Sequence, residues 1–112
     1  GNSVSLTSYP GQNGQPLELK CQLNLSGTNN PFTVLWYMND YPNAIERDAS
    51  NCDSVTTPTT YDLSRYTFSC QTNIFTLTIK TLSQTDDGNC WKCGVRFSDT
   101  GPTNLATTCI SV

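Results

Sequence analysis

Histidine is absent from this 112-residue chain, methionine occurs once, and charged residues make up only 13 %, about half the usual share. Without histidine, a serine or cysteine nucleophile lacks its commonest base, and a zinc site loses one of its two main ligand types. Six basic residues, scattered through a chain of net charge −3, leave no electrostatic footprint for nucleic acid or an anionic membrane. No apolar run approaches the roughly 18 residues of a transmembrane helix, and no secretion signal is present. The segment is therefore not expected to insert directly into a membrane, and any targeting or anchoring sequence is expected to lie outside it or to have been removed. A helical stripe with caps is also missing.

Cysteine is plentiful by contrast. Six cysteines with no histidine point to disulfides, and so to an extracellular or secreted setting. Asn24-Leu25-Ser26 is an N-glycosylation sequon that agrees with that compartment.

The periodicity of the apolar residues is two. Leu17-Glu18-Leu19-Lys20-Cys21-Gln22-Leu23-Asn24-Leu25 alternates throughout, and Phe75-Thr76-Leu77-Thr78-Ile79 repeats the pattern, so each apolar set lines one face of a strand. Thr33 to Met38 reads as a third strand. Turn clusters punctuate these runs at Pro10–Gly14, Ser26–Pro31, Asp86–Gly88 and Asp99–Pro102. Residues 39–60, rich in Asn, Asp, Ser and Thr, read as edge strands and loops. The expectation is a single all-β domain over residues 1–112, a two-sheet sandwich.

The residues then resemble a known family. Gly14-x-x-Leu17-x-Leu19-x-Cys21 is similar to the approach to strand B of an immunoglobulin domain, and Trp36 to the core tryptophan of strand C. Arg65-Tyr66-Thr67-Phe68 resembles the start of strand D, and Phe75–Ile79 resembles strand E. Leu82, Asp87 and Cys93 resemble the residues leading into strand F, and Thr108-x-Ile110-x-Val112 the end of strand G. The resemblance covers nearly the whole chain. It implies a variable-type (V-set) immunoglobulin-like β-sandwich with Greek-key connections, Cys21 paired with Cys93, Trp36 in the core, and Asp87 paired with Arg65 across the bottom of the sandwich.

Within that frame, the motif Cys90-Trp91-Lys92-Cys93 raises a choice. Residues three apart in a strand face opposite sides, so one cysteine is the inter-sheet partner. Taking Cys90 would turn Lys92 into the core, an unpaired ammonium costing several kcal/mol. Taking Cys93 turns Trp91 inward and Lys92 to solvent. Trp91 then stands where the family has the tyrosine of its tyrosine corner. Cys90 faces outward beside the outward Cys109 of strand G, which leaves Cys52 with Cys70. A redox motif would open a helix after Cys93, and none follows. A zinc site would need a second pair or histidines. Asp40, Asp48 and Asp53 lack the spacing of a calcium loop. No catalytic residue, metal or cofactor is expected, and the domain is not expected to be an enzyme.

The resemblance implies recognition through a surface. Parity places Leu35, Tyr37 and Arg96 on the outward GFCC′ face, with Phe97 at its tip, and these are residue types enriched at interface centres. Asn24 faces outward on the other sheet, so a glycan there would leave the GFCC′ face clear. The expected partner is a protein on another cell, either the same chain or a related one. Two alternatives stand beside this. An immune-type receptor would bind a foreign or soluble ligand through the loops Asn29–Phe32 and Phe97–Thr103. A glycan-binding domain of the sialic-acid type would carry an arginine just after Cys93, where this chain has Gly94. Asn104-Leu105-Ala106-Thr107 replaces the Phe-Gly-x-Gly bulge of antigen-receptor chains, and Cys93-Gly94-Val95 resembles the polymeric-immunoglobulin and myeloid receptor group. The departures in strands F and G are similar to those of divergent invertebrate surface receptors such as cnidarian allorecognition proteins. For such an ectodomain the resemblance implies homophilic binding.

Overall fold

Along β2 (Leu17–Asn24) buried and exposed residues alternate without exception, as a strand with one face on a core and one in solvent requires. The computed structural model describes residues 1–27, 30–56, 58–98 and 101–112. Among the described residues eight further strands are present: β1 (Ser3–Thr7), β3 (Pro31–Met38), β4 (Ile45–Asp48), β5 (Ser54–Thr56), β6 (Tyr66–Gln71), β7 (Ile74–Ile79), β8 (Cys90–Phe97) and β9 (Ala106–Cys109). They form an antiparallel four-stranded sheet, β1-β2-β7-β6, facing a five-stranded one, β5-β4-β3-β8-β9. This is the strand order of a variable-type immunoglobulin sandwich.

The chain folds this way because its inward faces are apolar and only one register buries them all. Leu19, Cys21, Phe75, Leu77 and Ile79 from one sheet meet Val34, Trp36, Ile45, Trp91, Cys93 and Val95 from the other, each at most 1 % exposed. Cys21 and Cys93 join the two layers, and Trp36 stands directly opposite Cys93 in the β3–β8 ladder. Closing a 72-residue separation is worth roughly 4 kcal/mol in the chain-entropy account. Trp91 packs edge-on against Tyr66, with ring centroids 5.3 Å apart, and beside Tyr61 at 6.2 Å. The buried Tyr61 hydroxyl donates to the Asn43 carbonyl and accepts from the Met38 amide. That indole and this satisfied phenol fill the lower core.

Both open edges of the sandwich are closed. On one side Cys52, in the β4–β5 connection, bonds Cys70 of β6, and the Arg47 guanidinium lies 4.0 Å over the Phe68 ring. On the other side Ser8 and Thr108 share a hydroxyl hydrogen bond, and the Gly11 amide donates to the Ser111 carbonyl. The third bridge, Cys90–Cys109, links directly opposed residues of β8 and β9. At the bottom of β3, Asn39 adopts a left-handed backbone (φ 52°), and its side chain accepts from the Cys90 amide while donating to Asn89.

One ion pair differs from expectation. Arg65 bonds Asp86, not Asp87, through both carboxylate oxygens at 2.8 and 2.6 Å. Asp86 is the third residue after Ser83 and closes a capping box around a short 3-10 turn; that hydrogen-bond geometry turns its carboxylate inward. Asp87 caps the turn and accepts from the Val112 amide instead. Bonding to Arg65 holds the Asp86 carboxyl below its ordinary 3.8, and the same contact raises the arginine above its usual value. The folded pKa of Asp86 lies below the unfolded one. Its stabilisation is therefore complete above about pH 4 and is lost as the pH falls through the folded value.

Two measurements check these contacts. Asp86→Asn strands a partly buried arginine and should cost roughly 2–3 kcal/mol in urea denaturation; the variant should also lose part of the wild-type destabilisation seen below about pH 4. Peptide mapping without reduction should recover the Cys90 peptide joined to the Cys109 peptide, and a Cys90–Cys93 link would contradict the pairing.

Candidate recognition face

Because Trp91, Cys93, Val95 and Phe97 turn into the core, the alternate residues of β8, namely Cys90, Lys92, Gly94 and Arg96, turn outward. The register carries that parity across the sheet. Tyr37 stands opposite Lys92, Leu35 opposite Gly94, and Thr33 opposite Arg96. On the far side of β3, Glu46 stands opposite Leu35 and Asp48 opposite Thr33. The Arg96 guanidinium and the Glu46 carboxylate meet at 2.7 Å. Since β8 and β4 flank β3, this ion pair crosses over the central strand between Thr33 and Leu35. It spans about two strand spacings, roughly 10 Å.

That strap changes what the face presents. Leu35 is only 3 % exposed and Thr33 2 %, although neither belongs to the inter-sheet core. On their outer side the ion pair crosses over β3, and Leu105 lies against Gly94, the residue opposite Leu35, so closely that a Cβ there would sit 2.8 Å from its Cδ2. Leu35 is therefore not the exposed contact residue that parity alone suggests. Phe97 is not one either: it is 3 % exposed and turns inward with Val95, since it sits an even number of residues from Cys93. Tyr37 is half-buried on the outer face, and the Arg96 side chain keeps 43 % of its surface exposed while Glu46 keeps 18 %. Lys92 leans towards the Asn39 carbonyl at 3.5 Å. Asp48 accepts from the Ser50 amide and hydroxyl, and the hydroxyl bond is the main reason its carboxyl lies below the ordinary range.

The structure thus places Tyr37 and Arg96 on one face, four residues apart along β3, and adds Glu46, Asp48, Lys92 and Leu105. A shallow depression of about 290 Å³ adjoins Glu46, lined by Asn43, Ala44, Thr56 and Pro58. Residues 39–60 do hold edge strands, β4 and β5, but the sequence leaves their bounds open and so does not single out Glu46 and Asp48. The alternation Ile45-Glu46-Arg47-Asp48 is the available signal, but four residues are too few for periodicity to settle.

At the loop end, Asn29 lies outside the described residues, and Phe32 is 54 % exposed. An open depression of about 530 Å³ beside it is lined by Leu25, Pro31, Ser50, Gln71, Asn73 and neighbouring residues. Asn24 is exposed at the end of β2, on the other sheet.

No family model matches the chain, and no curated protein matches its sequence. Solved structures do match, 611 chains of them, so the architecture is common and does not by itself define a function. One, from a study described as the structural basis of T cell specificity and activation by the bacterial superantigen toxic shock syndrome toxin-1, superposes with a TM-score of 0.73. It is 16 % identical, and the match covers 100 % of this chain and 99 % of that one. The likeness shows a shared fold, and the strand order of the two sheets makes that fold an immunoglobulin-like sandwich. Three disulfides on that framework fit an oxidising, extracellular compartment.

The covered position of Leu35 has a direct consequence. Leu35→Ala should cost about 2–4 kcal/mol of stability, whereas Tyr37→Ala should cost about 1 kcal/mol or less. Chemical denaturation of the two variants separates a structural leucine from a surface one.

Proposed function

We propose that this domain is a non-catalytic recognition module of a cell-surface protein, binding a protein partner through the outer face of β9-β8-β3-β4. The observation that carries the reading is the make-up of that face. The half-buried Tyr37, the exposed Leu105 and the partly exposed Arg96 share it, spread along roughly four residues of β3, held by a framework cross-linked three times. Aromatic residues and arginine are the types that dominate interface energetics, and a rigid sheet face loses little conformational freedom on binding. Asn24 lies on the opposite sheet, so a glycan on this sequon leaves the face open. The resemblance of the sequence to divergent surface receptors, allorecognition proteins among them, fits adhesion between cells that carry the same or a related chain.

A second reading rests on the loop end. The exposed Phe32 and the nearby depression, walled by polar and apolar residues alike, suit a soluble ligand or a glycan, as in an immune-type receptor.

Sedimentation equilibrium over a wide concentration range, with wild type and Tyr37→Asp, tests the first reading. Reversible self-association abolished by the substitution is the expected result. A protein that stays monomeric at the highest concentration would direct attention to a different partner, and to the loop end.

A further inference from the structure

The outward charges of β8 and β4 are sorted by strand. β8 carries the basic pair Lys92 and Arg96, and β4 carries the acidic pair Glu46 and Asp48, with β3 running between them. These four charges cancel, although the chain has a net charge of −3. The register also sets the height of each charge along β3. Lys92 is level with Tyr37, Glu46 with Leu35, and Arg96 and Asp48 both with Thr33.

A rotation of 180° about an axis lying along β3 preserves those heights and exchanges the two flanks. It sets the basic row of one molecule over the acidic row of another, with Arg96 facing Asp48 and Glu46, and Lys92 reaching Glu46 from the other side. Tyr37 then lies near the axis and meets its own copy. The outermost strands exchange as well, bringing β9 of one molecule over β5 of the other. Leu105, just before β9 and 46 % exposed, then lies over β5, whose Thr56 shares the outer face with Glu46 through a side-chain hydrogen bond.

We propose that the partner of this face is a second copy of the chain, docked face to face about a two-fold axis along β3, so that the Arg96–Glu46 bridge within each molecule is shared with its mate. The inference rests on the recognition reading of the face and specifies its partner and symmetry. An isologous contact requires a self-complementary patch, and a neutral face with its signs sorted to either side of one strand meets that requirement. A foreign partner of one dominant charge would find half of the face repulsive. Five strands about 4.8 Å apart, engaged over some five residues each, bury roughly 400 Å² per molecule. That is below the standard interface size, so the dimer is weak, and it becomes weaker as salt screens the rows.

The experiment is charge exchange followed by sedimentation velocity. Arg96→Glu alone and Glu46→Arg alone should each lower the self-association constant about tenfold or more, since each sets like charges face to face. An equimolar mixture of the two single variants should form a one-to-one dimer. In that pair the carboxylates at positions 46 and 96 of the Arg96→Glu chain meet the guanidinium groups at positions 96 and 46 of its mate. The chain carrying both substitutions should associate with itself again. Thermal unfolding of each variant confirms that it is folded before it is compared. If wild type dimerises and the single variants dimerise equally well, the proposed geometry is wrong while self-recognition stands. If the single variants fail but their mixture also stays monomeric, the cross-molecule pairing is overturned. If wild type is monomeric throughout, both the pairing and the self-recognition reading fall.

Discussion

The alternation of β8 governs more of this molecule than any single contact. Its inward residues supply one half of the inter-sheet disulfide and the largest aromatic of the lower core. Its outward residues supply one half of a second disulfide and both cations of the proposed recognition face. Because side chains in a strand must alternate, these two sets cannot be varied independently. A one-residue slip would bury Lys92 and Arg96 and expose Trp91 and Phe97 together. The core therefore sets the register, and the register sets which charges the face presents and at what heights.

The rest of the framework keeps that strand in place. A sandwich of two sheets has four edges, and an unprotected edge invites pairing with other chains. Here the bond between Cys52 and Cys70, with Arg47 laid over Phe68, closes one side, and the β1–β9 contacts close the other. Asp86 and Arg65 brace the bottom through a carboxylate that also caps a turn, so a single side chain serves two local structures. Such sharing lets a chain with few charged residues order its loops.

Much of the fold is legible in the sequence, for physical reasons that can be traced to particular stretches. Leu17–Asn24 and Phe75–Ile79 alternate strictly because one face meets the core and the other meets water. The choice between Cys90 and Cys93 follows from the cost of burying Lys92. Less legible is whatever depends on long-range side-chain placement. Asp86 and Asp87 are neighbours of identical chemistry, and only the capping geometry of the Ser83 turn selects between them. Parity places Leu35 correctly on the outer face but cannot show that Arg96 and Glu46 reach across β3 to cover it. Edge strands are expected over residues 39–60, but the bounds of the four-residue β4, which carries half of the charge pattern, are blurred by a polar stretch whose composition resembles a loop. Facing direction is a local property of the chain, while exposure is a property of everything packed around it.

The Cys90–Cys109 bridge has a mechanical meaning as well. Hydrogen bonds between neighbouring antiparallel strands open one after another when the outer strand is peeled away, so a sheet edge is weak against a pull at its end. A covalent link between directly opposed residues near the end of the β8–β9 ladder interrupts that unzipping. Tension entering through β9 passes into β8, and from there through Cys93 and Cys21 into the opposite sheet. Under such a pull the load would be carried by sulfur across the full thickness of the domain, and the face on β8 and β3 would keep its shape.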